Sequence, residues 1–166
     1  MSESQGATAE ELQAAMRLAP ATVAVITAES DGDINGLTAT SFCSVSMQPP
    51  SILVCVNRDS RTHGLISASQ RFCVNLLGAG QQGIANAFAS TKPGEEKLKQ
   101  ADTSIIKIDE MPVLEEASAN MTCDLVHALD AGSHTIFVGT VRSVVVSEGS
   151  EPLLYGIQQY GSFVGE

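Results

Sequence analysis

Thr38, Thr40, Ser41, Ser44 and Ser46 crowd one short stretch with hydroxyls, and Asn57, Arg58, Ser60, Arg61 and Thr62 follow beyond a Pro-Pro pair. Hydroxyls along a strand donate to and accept from the rim of a planar ligand without ionising. Cations, hydroxyls and the unpaired N–H groups of a helix start favour phosphate. Together these residue types suit the cradling of a phosphorylated planar ligand. Ser60 also fits an ordinary helix N-cap, and the residues alone leave both readings open.

Strands and a helix start have to position these groups. From Leu37 to Met47 the odd positions Leu37, Ala39, Cys43, Val45 and Met47 are mostly apolar, Thr38, Thr40, Ser44 and Ser46 carry hydroxyls, and Phe42 is the exception. Alternate side chains face opposite sides of a strand, so the spacing predicts a half-buried strand with a hydroxyl-rich second face. Pro49 and Pro50 cannot donate to a ladder and end it. Ser51 to Val56 predicts a short apolar strand, and Asn57 to Thr62 a turn and helix start. Upstream, Thr8 and Glu11 form a capping box for a short amphipathic helix that carries Leu12 and Met16 and ends before Pro20. A strand over Thr22–Ala28 and the Asp31-Gly32-Asp33 turn predict a hairpin. Helices are expected over Thr62–Ala68 and Gln81–Ala89 and again after the polar loop at residues 90–96. Further strands are expected over Arg71–Leu76, Ile105–Ile108, Ala119–Leu129, His134–Val146 and Leu153–Ile157. Many short strands with helices only as inserts suit a mainly β barrel with peripheral α-helices. A doubly wound parallel sheet fits poorly, because strands and helices do not alternate regularly along the chain.

A chain of 166 residues is expected to form a single domain over 1–166, with a helical arm at 1–19 and a barrel core at 20–162. Aromatic residues make up 4% and Trp is absent, so the core must rest on Val, Ile, Leu, Ala and Met. A net charge of -10 leaves no basic stripe for nucleic acid and no attraction to anionic membranes. No apolar run approaches the roughly 20 residues of a spanning helix, and the N-terminus is polar and acidic, so a cytoplasmic location is expected. Cys43, Cys55, Cys73 and Cys123 lie in apolar runs without C-x-x-C spacing and read as buried free thiols, not as a zinc site. His127 shares parity with Met121, Cys123, Leu125 and Leu129 and is expected within their apolar face. His63 reads equally as an exposed first-turn residue or a ligand contact. Glu95, Glu96, Glu115, Glu116, Asp31 and Asp33 read as solvated charges.

Several segments in order carry a resemblance. They are Gly36 to Phe42, Ser44 to Pro50 and Val54 to Asn57 with Ser60 and Thr62, then Phe72 to Leu77, Phe88-Ala89, Gly132 to Val141 and Pro152 to Tyr155. Across roughly residues 20 to 162 the chain resembles the flavin reductase family with the FMN-binding split-barrel fold, the reductase components of two-component flavin-dependent monooxygenases. The resemblance implies a mainly β, Greek-key-like split β-barrel and a homodimer. It also implies hydride transfer from NADH, with NADPH as the alternative donor, to FMN or FAD, and delivery of reduced flavin to a partner monooxygenase.

Site residues follow from the same resemblance. Thr38, Ala39, Thr40 and Ser41 would border the isoalloxazine, with Ser46 on the same hydroxyl-bearing run and Cys55, Val56 and Asn57 on the neighbouring strand. Ser60, Arg61 and Thr62 would meet the ribityl phosphate. Phe88 and Lys97 would close the pocket, with Lys92 a competitor because of the insertion at Thr91 to Gly94. His134 is the candidate catalytic residue on the nicotinamide side. The family's triplet there is Gly-Asp-His, whereas this chain has Gly132-Ser133-His134 and lacks the acid. Tyr155 and Tyr160 would line the nucleotide cleft or pack at a dimer interface. The family's basic segment after Tyr155 is also missing, which favours NADH over NADPH. Other readings are a flavin-retaining oxidoreductase of a small organic substrate, a non-catalytic flavin-binding or redox-sensing module, and haem binding on a related barrel.

Overall fold

The computed structural model describes residues 6–165, so the first five positions of the expected arm and the last residue lie outside the described residues. Helix α1 (Ala9–Met16) begins at the capping box: the Thr8 hydroxyl accepts from the Glu11 N–H and the Glu11 carboxylate from the Thr8 N–H. Its apolar stripe, Leu12 and Met16, stays exposed within the single chain. Strands β1 (Ala21–Thr22), β2 (Ala24–Ser30) and β3 (Asp33–Ala39) follow. The strand expected over Thr22–Ala28 is cut at Val23, whose N–H donates to Leu153 O and whose carbonyl accepts from Leu77 N–H. The β2–β3 hairpin closes at Asp31-Gly32, both at positive φ, the geometry that suits the right-handed twist of paired strands.

β4 (Phe42–Met47) and β5 (Pro50–Asn57) make the next hairpin. The single strand expected from Leu37 to Met47 is therefore two strands. Ala39 is the last residue of β3 paired to β2, whereas the Ser41 carbonyl already accepts from the Cys55 N–H. Both halves are extended, so side-chain alternation does not reveal the change of partner. The chain continues through α2 (Arg61–Ser69), β6 (Arg71–Leu76), α3 (Gln82–Phe88), α4 (Gly94–Ala101), β7 (Ile105–Ile108) and β8 (Met111–Leu114). It ends with β9 (Ala119–Ala131), β10 (His134–Val146), β11 (Leu153–Gly156) and β12 (Gln159–Ser162). β8 and β12 have no counterpart among the expected strands: Pro112 interrupts the first pattern, and the second is polar with Gly161 inside it.

Seven strands form one antiparallel sheet in the order β3-β2-β6-β9-β10-β5-β4. One core joins Ala28 and Ala39 from one end of that sheet to Ile52 and Val54 from the other, around fully buried Phe72 and Phe137. The sheet thus curls around a common interior as the expected split barrel, and Leu65 and Ile66 of α2 pack into the same core. A second core lies under α3, where Ile84, Ala85 and Phe88 meet Val23, Leu77 and Leu153. Outside the main sheet, β1-β11-β12 and β7-β8 form small sheets of their own.

Two expectations about buried groups change. Between Leu125 and His127 the β9–β10 register slips by one residue, which turns the following side chains to the other face. His127 and Leu129 therefore face away from Cys123, on a stretch, 126–131, that is exposed on both faces. Cys43 is exposed on β4, while Cys73 and Cys123 are buried and Cys55 is half-buried.

Candidate functional site

A cavity of about 660 Å³ opens where the end of β3, the end of β5, the start of α2 and the α3–α4 connection meet. Thr38 anchors its first wall, its hydroxyl donating to the Ala85 carbonyl of α3 at 2.6 Å. Ser41 fastens the crossing from β3 to β4: its hydroxyl donates to Cys55 O at 3.1 Å and its carbonyl accepts from Cys55 N–H at 2.9 Å. Ala39 and Thr40 complete this wall.

The opposite end is built by the Asn57–Thr62 turn. Asn57 Oδ1 accepts from the Asp59 N–H at 2.8 Å, folding the chain back on itself. Ser60 caps α2, accepting from the His63 N–H at 3.1 Å and donating to Asn57 O at 2.8 Å. The N-cap reading of Ser60 is thus realised, at a helix start that faces the cavity. Thr62, 1% exposed, lies in the wall beside it. Arg61 also lines the cavity and pairs with Asp33 at 2.7 Å, but its side chain is 57% exposed. A pair so open to water holds the guanidinium weakly and leaves it able to turn toward an anion. Arg58 lies outside the lining and pairs with Asp130 at 3.5 Å.

Two close approaches bring α3 and α4 over β3. A Cβ on Gly36 would meet Ile26 O at 3.0 Å and the Phe88 ring at 3.1 Å, and one on Gly94 would meet Ile34 O at 2.1 Å. Only glycine lets the layers come this near. Phe88 and Lys97 are thereby placed in the wall. Lys97 is buried, its Nζ donating to Gly36 O at 2.7 Å and Asn35 Oδ1 at 3.0 Å, and burial pulls its pKa below the usual lysine value. Lys92 lines the same cavity, but exposed, with Nζ donating to Gln100. His134 opens β10 directly opposite Asn57 and reaches the cavity rim, its Nδ1 2.9 Å from Ser133 Oγ. A neutral hydroxyl thus sits on the ring nitrogen where the resemblance calls for an acid.

The cavity therefore gathers Thr38, Ala39, Thr40, Ser41, Cys55 and Asn57 with Ser60, Arg61, Thr62, Phe88, Lys97 and His134. Burial raises the Cys55 thiol pKa, with Cys43 adding to it, so this wall carries a neutral thiol at neutral pH. Three expected residues lie elsewhere. Val56 is fully buried in the barrel core, and Ser46 bonds Gln48 in the β4–β5 turn. Tyr155 lines an adjoining cavity.

The wall also contains Asn35, Asp59, Ser90 and Thr91, which sequence reasoning does not single out. Asn35 lies inside β3, and the approach of α4, whose Lys97 Nζ donates to Asn35 Oδ1, makes it part of the wall. His63 turns out to be tied down: its Nε2 lies 2.9 Å from the Thr135 hydroxyl, which donates to Asp130 at 2.9 Å. Because that hydroxyl spends its proton on Asp130, His63 must donate from Nε2. Among the described residues no cluster of His, Cys, Asp or Glu is arranged to hold a metal, and no helix is long and apolar enough to cross a membrane.

A hydroxyl-lined wall, a helix N-terminus beside an exposed guanidinium, and a buried phenylalanine suit a phosphorylated planar ligand. Residues 16–163 match the family described as "Flavin reductase like domain". The reductase component of the FADH(2)-dependent resorcinol hydroxylase of Rhizobium sp. (strain MTP-10005) is 40% identical over 152 residues, 87% of this chain and 82% of that protein. The FMN reductase (NADH) RutF of Stutzerimonas stutzeri (strain A1501) is 32% identical over 151 residues, 91% of this chain and 86% of that one. The NADH:FAD oxidoreductase SgcE6 of Streptomyces globisporus C-1027, solved in complex with NAD and FAD fragments, superposes with a TM-score of 0.85. It is 29% identical and the match covers 93% of this chain and 92% of that one.

Proposed function

Because the chain belongs to the flavin reductase like family, we propose that the cavity at residues 38–62 is where this NAD(P)H-dependent flavin reductase receives its flavin. The protein transfers a hydride from NADH to FMN or FAD and supplies reduced flavin to a partner monooxygenase. A flavin supplies the electron-accepting ring system and the reduced nicotinamide the hydride, so the protein needs no general base of its own. What its residues must do is bind, orient and shield.

Thr38, Thr40 and Ser41 offer hydroxyl and backbone groups to the ring edge, in a wall held still by the Thr38–Ala85 and Ser41–Cys55 bonds. Asn57 and Cys55 border the same edge from β5. The start of α2 takes the phosphate: Thr62 and the first-turn N–H groups face it, and Arg61 exchanges its exposed partnership with Asp33 for a new anion. Phe88 and Lys97 exclude water from the far side, and His134 contacts the nicotinamide, presenting a ring oriented by Ser133. The observation that carries this assignment is the convergence of six elements, β3, β5, α2, α3, α4 and β10, on one cavity. A homodimer and a cytoplasmic location belong to the same reading.

The test is the loss of NADH absorbance when protein is mixed with excess FMN, FAD or riboflavin. Rapid oxidation that depends on added flavin is expected, with FMN ahead of riboflavin because the phosphate is held. Absence of turnover in protein that still binds flavin would replace this reading with a flavin-retaining enzyme or a sensor.

A further inference from the structure

A second cavity, of about 520 Å³, lies between the β11–β12 hairpin and α3 and shares Thr38, Ala39, Thr40 and Ala89 with the first. Building on the reductase reading, we infer that it is a subsite for the adenosine half of the hydride donor. The chain is poor in aromatics and has no Trp, yet both of its tyrosines line this one space. Tyr155 and Tyr160 meet edge to face with ring centroids 5.2 Å apart, and the Tyr160 hydroxyl donates to Asn86 Oδ1 at 2.9 Å, which fixes the pair against α3. Aromatic faces flanked by amides suit a heteroaromatic base, and stacking of this type is worth about 1–3 kcal/mol per base. The volume falls within the roughly 300–1,000 Å³ of small-molecule sites.

The hairpin is also held in a costly shape. Ile157 and Gln158 form its turn at φ 51° and 60°, and a β-branched residue in that region is strained. Neighbouring contacts keep it there: the Ile157 N–H donates to Arg17 O at 2.9 Å, and Tyr155 pairs with Ala21. The turn places Gln158 in the cavity wall beside the tyrosines.

Charge and connectivity select the occupant. Among the described residues no Lys, Arg, Asp or Glu lines this cavity, so it suits an uncharged base and ribose and offers nothing to a 2′-phosphate. The two cavities meet at residues 38–40 and 89 and share nothing of the 57–62 end. The adenosine of FAD hangs from the phosphate, which belongs to that other end. A moiety entering beside residues 38–40 therefore comes from the second ligand, and the neutral wall favours NADH over NADPH.

Kinetics with NADH and with reduced nicotinamide mononucleotide, the same hydride without adenosine, test the assignment, with FMN and then FAD as acceptor. Tyr155→Ala should raise the KM for NADH by about five- to a hundredfold while the KM values for the mononucleotide and for FMN stay put. Tyr155→Phe should keep NADH within about twofold, since the face is retained. In the unmutated protein adenosine should inhibit competitively against NADH and not against FMN, a result that needs no variant to fold. Equal rise for both donors, or no adenosine inhibition, would overturn the subsite. A loss confined to FAD would reassign it to the flavin's adenosine. Failure of every donor with every flavin would instead remove the reductase reading itself.

Discussion

Two groups of polar side chains are embedded in this barrel, and they are built in opposite ways. Around Asn75, every polar atom closes on another. Its amide nitrogen donates to Val25 O at 2.8 Å and Thr27 Oγ1 at 3.0 Å, and its oxygen accepts from Leu114 N–H and Asn120 Nδ2, both at 2.9 Å. Asn120 donates onward to Leu114 O at 3.0 Å, and Thr27 to Pro112 O at 2.5 Å. At the cleft, Thr38, Ser41, Ser60 and Lys97 each use part of their hydrogen-bonding capacity to fasten backbone and stand at the edge of open space. The first arrangement rivets β8 to β2, β6 and β9, and the second holds a shape around a volume. Buried polar groups that satisfy one another serve the fold, whereas groups left half-committed beside a cavity are available to a ligand.

The largest expected effect breaks the closed network. Asn75→Leu removes an acceptor from the buried Leu114 N–H and Asn120 amide and a donor from Val25 O. Each orphaned group costs about 1–3 kcal/mol, so the substitution should destabilise the protein by roughly 3–5 kcal/mol. Urea denaturation should show it as a lower midpoint, with flavin affinity of the folded fraction unchanged. A near-neutral result would mean the network relaxes onto water and is not the closed clamp described.

The same contrast explains what could be read from the chain. Residues 38–62 reach the cavity within one strand–turn–strand–helix run, so alternation, the Pro-Pro turn and the cap signal expose most of the site. Asn35, Lys97 and β8 owe their positions to layers that meet across long sequence separations: Gly36 against Phe88, Gly94 against Ile34, Asn75 against Leu114. Local pattern carries no trace of those contacts. His127 fails for a related reason, because a one-residue slip at Val126 reverses parity and nothing in the spacing announces it.

A smaller effect is expected on opening the α2 end of the cleft, where the proposal puts the phosphate. Ser60→Ala with Thr62→Ala removes both hydroxyls at the α2 start, and loss of the Ser60 cap should cost about 1 kcal/mol of stability. FMN affinity should fall roughly ten- to a hundredfold, the loss of the Thr62 hydrogen bond to a charged group, since the Ser60 proton is already given to Asn57 O. Riboflavin, which lacks the phosphate, should bind as before. Equal weakening of both in a titration followed by flavin fluorescence would move the phosphate away from α2.

The smallest effect asks on which side of the contrast Lys97 falls. Its ammonium is fastened to Gly36 O and Asn35 Oδ1, yet burial alone accounts for its shifted pKa, and that shift is downward from 10.5. In the window between the lowered value and 10.5 the unfolded chain binds more protons than the folded one, so stability gains as pH rises through that window. Below it both states carry the proton and the desolvation cost is constant. Comparison with Lys97→Met cancels the other titrating groups. The stability difference should be flat below the lowered value and shift in favour of the unmutated protein as pH climbs from there toward 10.5, as read from urea midpoints at successive pH values. A difference that moves the other way would mean the ammonium is stabilised by an anion in the folded protein, and Lys97 would then belong with the closed network instead of the cleft.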